Sequence, residues 1–380
     1  MQLNDLFDTG NEHYLKQEFN EARACYETIL QQVPDNPIVL HNYGLACTQL
    51  GDYLAAIESF NKAIDHRYTE SYISRGAVHR TLGNYHQAMV DFGTAFMLSP
   101  RHASAYSNYG NTLREFGMPD VALPFLKIAQ DIDPNVPTFR LNESVAHLLK
   151  GDLLSGWEKY DARWFFDSKE SFKPKFDGAE YDGSQNINGL TVLVYGEQGF
   201  GDCIQFVRYV KMLENLHAKV VLHVREPLVS LFQHNFPSVQ VTSDKADIPV
   251  YHYHVPLLSL PKCFGTTIET IPYPDKYLSP TITHSSQYLP AKTKTRVGIQ
   301  WGSNSVAFIT RFRKIDLAKL LAIASADVEL VCLNFDINDE ERKLLAEHNV
   351  LIPELGNFNQ TGNIINQCDL VVTVDTVTAH

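Results

Sequence analysis

Gly10, Gly44, Gly76 and Gly110 recur at steps of about 34 residues, and a period of that length commits the first part of the chain to stacked helix-turn-helix units. Other positions keep the same register. Seven residues after the last three of these glycines stands a second one, Gly51, Gly83 and Gly117, where a first helix should end. Twelve residues after each first glycine stands a small residue, Ala22, Ala56, Ala88 and Ala122, where the two helices of a unit must approach closely. Phe19, Tyr53 and Tyr85 are expected at the core position between, and Tyr26, Phe60 and Phe92 at the one after. Pro34, Pro100 and Pro134 close the first, third and fourth units, because proline cannot continue a helix.

Units at residues 3–36, 37–68, 69–102 and 103–136 resemble the tetratricopeptide repeat consensus. A degenerate fifth follows at 137–166, with Gly151, Gly156 and Tyr160 on the pattern. The resemblance implies an α-solenoid over residues 1–166. Each unit has an apolar face that it cannot bury alone, so the stack shares one continuous core and presents a curved groove. Such grooves take peptides or docking proteins. Asn42, Tyr43, Tyr106, Asn108 and Asn111, near the first helices of units two and four, are the candidate lining residues. An array that only supports the next domain, or dimerises, fits the same pattern.

At 380 residues the chain has room for two or three cores. A hydrophobic content of 44% with 20% charged residues is that of a globular protein. A formal charge of −12 and a pI near 5.6 argue against a general nucleic-acid or membrane-surface binder, which would need an excess of Lys and Arg. Cys25, Cys47, Cys203, Cys263, Cys332 and Cys368 contain no C-x-x-C pair, which argues against a zinc site or disulfide framework and for a reducing compartment. The N-terminus lacks a basic stretch followed by an apolar core, and no run of about 18 apolar residues appears. A cytoplasmic protein without a transmembrane segment is expected.

Residues 167–189 are rich in Lys, Asp, Gly and Ser and read as a linker or extended arm. Beyond them the periodicity changes. Leu190, Val192, Leu193, Val194 and Tyr195 predict a buried strand, and Ile204, Phe206, Val207, Val210 and Leu213 the apolar face of a helix. Between them lies Gly196-Glu197-Gln198-Gly199-Phe200-Gly201-Asp202, a turn whose glycines let the backbone approach a bound group and whose Asp202 stands where the helix begins. An ordinary strand-to-helix turn capped by Asp202 accounts for the same residues. Strands at 219–224, 239–241 and 250–255 complete a first parallel sheet over 190–290. A second set over 296–380 has strands at 296–300, 328–333 and 370–374 and helices at 317–324 and 339–347.

The stretch from Tyr195 to Tyr209, the segment 255–261 with Phe264-Gly265-Thr266-Thr267, and Leu370-Val371-Val372-Thr373-Val374-Asp375-Thr376 resemble bacterial repeat-fused glycosyltransferases. The catalytic part of these is similar to the lipopolysaccharide heptosyltransferases (glycosyltransferase family 9-like), which have the GT-B fold. The resemblance implies two Rossmann-like domains, acceptor-side at 190–290 and donor-side at 296–380, and transfer of a sugar from a nucleotide-sugar donor to a glycan or protein acceptor. The repeats would then dock a protein partner or the acceptor. It places the general base at Asp202, since a carboxylate beside the acceptor hydroxyl can take its proton. Gly196, Glu197, Gln198, Gly199 and Gly201 would form the acceptor-side loop. Trp301, Gly302 and Asn304 match the first turn of the donor domain. Arg313 matches the cation facing the diphosphate, with Arg311 and Lys314 beside it as substitutes. Asp375, Thr376, Thr378 and His380 match the loop that meets donor phosphate and sugar. No metal or other cofactor is expected. A GT-B donor domain continues past this loop, so these residues are expected to be a fragment of a longer chain rather than a truncated, inactive domain.

Other readings are weaker. The turn is spaced G-x-x-G-x-G, not G-x-G-x-x-G, and His223-Val224-Arg225 stands where a dinucleotide site would have an acidic residue. His252 and His254 lack a third metal ligand nearby. No G-x-S-x-G nucleophile elbow occurs. The alternative from another class is a repeat scaffold with a degenerate or truncated glycosyltransferase-like part that binds without turnover.

Overall fold

The computed structural model describes residues 2–165, 173–281, 288–302 and 314–379. It divides into two compact units, Met1–Lys173 and Pro174–His380.

The first unit is an array of paired helices: α1 (Leu3–Leu15) with α2 (Phe19–Leu30), α3 (Pro37–Gln49) with α4 (Tyr53–Asp65), and α5 (Glu70–Thr81) with α6 (Tyr85–Leu98). Two further pairs are α7 (Ala103–Glu115) with α8 (Pro119–Ile132) and α9 (Pro137–Lys150) with α10 (Leu153–Lys159), the last running into a 3-10 turn at Tyr160–Phe165. The period has a steric cause. At Gly44 a Cβ would lie 2.6 Å from the Phe60 ring, so only glycine lets α3 and α4 touch. Gly51 has φ of 78°, which turns the chain between them. Ala22, Ala56, Ala88 and Ala122 are fully buried, as are Phe60 and Phe92, with Tyr26 nearly so. Phe19, Tyr53 and Tyr85 differ from expectation. Each opens a second helix and is only half-buried, because the first turn lies at the edge of the pair rather than in its middle. Asn36 starts α3 by accepting from the N–H groups of Ile38 and Val39, with Pro37 in the first turn.

In the second unit, five parallel strands lie in the order β1-β5-β2-β3-β4: β1 (Ala179–Glu180), β2 (Thr191–Tyr195), β3 (Lys219–His223), β4 (Gln240–Thr242) and β5 (Tyr253–Pro256). The segment expected as linker therefore needs correction. From Pro174 it belongs to this unit, β1 pairs with β5 at the sheet edge, and Tyr181 and Ile187 are buried. The helix after β2 is three pieces: α11 (Phe200–Phe206), a 3-10 turn (Val207–Tyr209) and α12 (Val210–Asn215). α13 (Val229–Asn235) and α14 (Leu260–Cys263) follow. A second parallel sheet, ordered β7-β6-β8, is formed by β6 (Thr295–Gln300), β7 (Val328–Cys332) and β8 (Leu370–Thr373). Its helices are α15 (Leu317–Leu321), α16 (Asp339–Glu347) and α17 (Phe358–Ile365), the last absent from the sequence-based reading. Under the start of this sheet the buried guanidinium of Arg296 bonds Glu329 through Nε at 2.6 Å and the Pro290 carbonyl through Nη2 at 3.0 Å. Among the described residues no helix is long and apolar enough to cross a membrane.

Candidate functional site

The turn after β2 is held from several sides. The Gly196 N–H donates to the His223 carbonyl at 2.9 Å, and the Leu258 N–H donates to Glu197 Oε1 at 3.2 Å. Asp202 does not occupy the cap position expected for it. Gly199 precedes α11, and Asp202, three residues on, accepts the Gly199 N–H on Oδ2 at 2.8 Å. The turn's own packing uses its glycines. A Cβ at Gly196 would meet Cys203 Sγ at 2.7 Å, and one at Gly199 would meet Asp202 Oδ2 at 2.8 Å. Burial, followed by the nearby Glu197 carboxylate, pushes the Cys203 thiol up to about 12, which leaves it protonated and unreactive. Gln198 accepts from Arg225 Nη2 at 2.6 Å, and the Arg225 guanidinium lies 3.8 Å from the centre of the Phe200 ring. Sequence reasoning missed this arginine, whose only signal was its place just after a strand neighbouring β2.

The second sheet meets the turn. Phe200 packs on Phe358 of α17 at 5.0 Å between ring centres, and Phe358 on Phe335 at 5.5 Å. The 3-10 turn Val377–Ala379, just beyond β8, packs against α11. The side chain expected at Trp301 to meet a donor is instead in the core, 1% exposed, with its indole N–H on Glu341 at 2.8 Å. Burial of so large an apolar ring outweighs any surface role. The Gly302 carbonyl accepts from Asn334 at 3.0 Å. Lys314 is exposed and 3.9 Å from Glu341. Asp375 is exposed on the bend after β8. The Thr376 hydroxyl donates to Gln300 at 2.6 Å, which leaves its backbone rather than its side chain for a ligand. Thr378 Oγ1 is buried without a partner. Asn304, Arg311, Arg313 and His380 lie outside the described residues. Of the two histidines, His252 precedes β5 and accepts the Thr191 N–H on Nδ1 at 3.1 Å, while His254 is buried on the strand. Among the described residues no group of three His, Cys, Asp or Glu is placed to hold a metal.

In the repeat unit the first helices touch in turn, α3 with α5, α5 with α7 and α7 with α9. Polar side chains bridge them. Asn42 donates to Asn11 at 3.0 Å, Arg80 to Asn108 at 3.3 Å, and Asn142 to Ser107 at 3.1 Å. A hollow of about 200 Å³ is lined by Asn11, Tyr14, Leu15, Tyr26, Asn42 and Leu45. Tyr106 stacks on Phe96 at 4.6 Å. Tyr43 departs from the lining role: it packs against two core clusters, and burial pushes its phenol up to about 12. Asn111 is buried.

A tetratricopeptide repeat family profile matches residues 7–70. Among curated proteins, the chain is 24% identical over 133 residues to human tetratricopeptide repeat protein 6, covering 35% of this chain and 26% of that protein. It is 26% identical over 106 residues to mouse DnaJ homolog subfamily C member 7, covering 27% and 22%. The chain thus spans about a quarter of the length of the curated relatives it matches. Among solved structures, the MamA protein is 22% identical with a TM-score of 0.37, over 42% of this chain and 88% of that one. YrrB, described as a TPR protein with an unusual peptide-binding site, is 21% identical with a TM-score of 0.34, over 41% and 82%.

Proposed function

We propose that the repeat unit is an interaction scaffold that holds an extended segment of a protein partner along its first-helix face. The observation that carries this is the unbroken contact of α3, α5, α7 and α9, with Asn42, Arg80, Asn108 and Asn142 bridging along it. A wall of that kind offers hydrogen bonds to a main chain at regular spacing. The tetratricopeptide match over residues 7–70 supports the same reading. A photo-crosslinking residue placed at Asn42 or Asn108 is expected to capture one partner from the protein's own cell extract, and the same residue at Glu58 on α4 is not. Equal capture from both positions, or from neither, rejects this reading.

A second reading concerns the other unit and is favoured by one contact: α11, after β2, packs against the turn after β8. The carboxyl ends of two parallel sheets then border one crevice, the place where open α/β sheets bind ligands. We propose on this ground a glycosyltransferase of the GT-B type using a nucleotide-sugar donor. Asp202 is its base, with Oδ2 fixed by Gly199 and Oδ1 the atom that takes the acceptor proton. Gly196, Glu197, Gln198 and Gly201 shape the acceptor side, and Lys314 and the Asp375–Thr378 loop the donor side. Calorimetry with uridine, adenosine and guanosine diphosphates tests it. Binding of one of them supports transfer, and binding of none returns the unit to a non-catalytic part of a scaffold.

A further inference from the structure

Asn188 is the one asparagine of the chain that glycine follows, and it stands on the corner that leads into β2. The corner is a tight turn. The Leu190 N–H donates to the Ile187 carbonyl at 3.0 Å, and Gly189 takes φ of 74°, the left-handed value that a type II turn requires there. Ile187 is buried beneath it, whereas Asn188 and Gly189 are both exposed. The Asn188 N–H donates to Asn186 Oδ1 at 3.1 Å, and the Gly189 N–H to the His217 carbonyl at 2.9 Å. Among the described residues nothing holds the Asn188 carboxamide.

A carboxamide next to glycine is open to attack by the following main-chain nitrogen, because glycine has no Cβ to obstruct the approach. The space is there: a Cβ on Gly189 would meet nothing within 4 Å. The hydrogen bond to His217 is what restrains the reaction, since it keeps the proton on the attacking nitrogen and holds that nitrogen in line with the strand ladder. The next rung, from the Lys219 N–H to the Leu190 carbonyl at 2.8 Å, begins the pairing of β2 with β3. Asp177-Gly178 and Asp182-Gly183 stand in the same segment but are poorer substrates, because an ionised carboxylate has no group to expel. Hydrogen bonds from Ser184 hold the Asp182 carboxyl below its ordinary value, so it stays ionised.

We infer that Asn188 is a site of spontaneous deamidation, gated by opening of the turn at residues 187–190. When the turn opens, a solvent base takes the Gly189 amide proton and the nitrogen attacks Asn188 Cγ. The N–Cγ bond forms, the Cγ–Nδ2 bond breaks, and Nδ2 departs with a solvent proton as ammonia. Water then opens the succinimide: attack at Cγ leaves aspartate, and attack at the main-chain carbonyl leaves isoaspartate. Either product puts a carboxylate at the entry to β2. Isoaspartate also adds a methylene to the main chain just ahead of a strand that is paired on both sides, which weakens the α/β unit.

The test is to incubate the whole chain at mildly alkaline pH, folded and in urea, and to follow the tryptic peptide 176–208 by chromatography and mass spectrometry, which resolve asparagine, aspartate and isoaspartate. Asn188 should convert ahead of every other asparagine, and ~10-fold more slowly in the folded chain than in urea, since the turn must open first. Asn186→Ala removes the acceptor of the Asn188 N–H. It should speed conversion of the folded chain by ~5-fold, the scale of one neutral hydrogen bond, and leave the rate in urea unchanged. Asn188→Gln lengthens the side chain, disfavours ring closure and should stay intact. Circular dichroism confirms that both variants start folded. On ageing, the melting midpoint of the α/β unit should fall in the wild type and hold in Asn188→Gln. An Asn188 that stays intact in urea, or converts after other asparagines, would overturn the site. A folded chain that stays intact or converts as fast as in urea, or a folded rate indifferent to Asn186→Ala, would overturn the gate. Equal midpoints for fresh and aged wild type would overturn the effect on the α/β unit.

Discussion

In the repeat unit, Gly44 on α3 meets Phe60 on α4, the next helix along, and the same kind of contact returns in each unit. In the α/β unit, β2 pairs with β3 on one side and with β5 on the other, and the His252 imidazole that accepts the Thr191 N–H lies 61 residues away. The two regions therefore build their cores from contacts of different range. Short-range contacts let each repeat be stabilised by its neighbours, whereas the sheet gains little until distant strands are in place. A consequence is that damage to one unit should leave the other standing.

The largest break of that comparison is expected at Arg296. Arg296→Ala leaves Glu329 without its buried partner and should cost the α/β unit ~3–5 kcal/mol. In urea, monitored by segment-resolved hydrogen exchange, the second unit should unfold earlier and the repeats at their usual midpoint. A shift of both would show that the units are not independent.

His41 gives the converse, in the repeats alone. It is buried between Phe60 and Tyr68, bonded to Ser71 at 2.9 Å, and burial pulls its imidazole down to about 4, against a weaker opposing pull from Glu70. The unfolded chain, with an ordinary histidine near 6.5, takes up the proton first. Stability from the neutral ring is thus complete above pH 6.5 and declines as pH falls towards 4, by at most about 3 kcal/mol. Melts of the wild type and His41→Phe between pH 7 and 4 should differ in slope for the repeat unit only. Parallel slopes would show that His41 does not carry the effect.

Asp202 sharpens the comparison on the functional side. If the α/β unit transfers sugar, Asp202→Asn should lower the rate of nucleoside diphosphate release by ~100-fold or more. An amide oxygen can still accept the Gly199 N–H, so the melting midpoint should hold. Unchanged turnover would remove Asp202 as the base. The smallest effect is expected at Asn36→Ala, which deletes the cap of α3 and should cost ~1 kcal/mol in the repeat transition alone.

The repeats were legible because each position of the 34-residue pattern has one local cause: Gly44 for contact with Phe60, Gly51 for a left-handed turn, Ala56 for a buried approach. Strand positions in the α/β part were legible too, since β3 and β7 are short apolar runs between polar turns. β1 was hidden because two residues carry no periodicity, and its strand character comes only from pairing with β5. The site was less readable than the fold. Trp301 looked like a ligand contact because sequence cannot tell a ring at a strand's end from one turned into the core, and Arg225 was passed over because its partner Gln198 is far off in the chain.

By itself, the sequence determined that the chain opens as a helical repeat array and that alternating strands and helices follow. Periodicity is a property of neighbours along the chain and survives without a tertiary context. Only the tertiary structure decided that β1 closes the first sheet and that α11 meets the turn beyond β8. Those outcomes depend on which side chain a different helix or strand brings opposite.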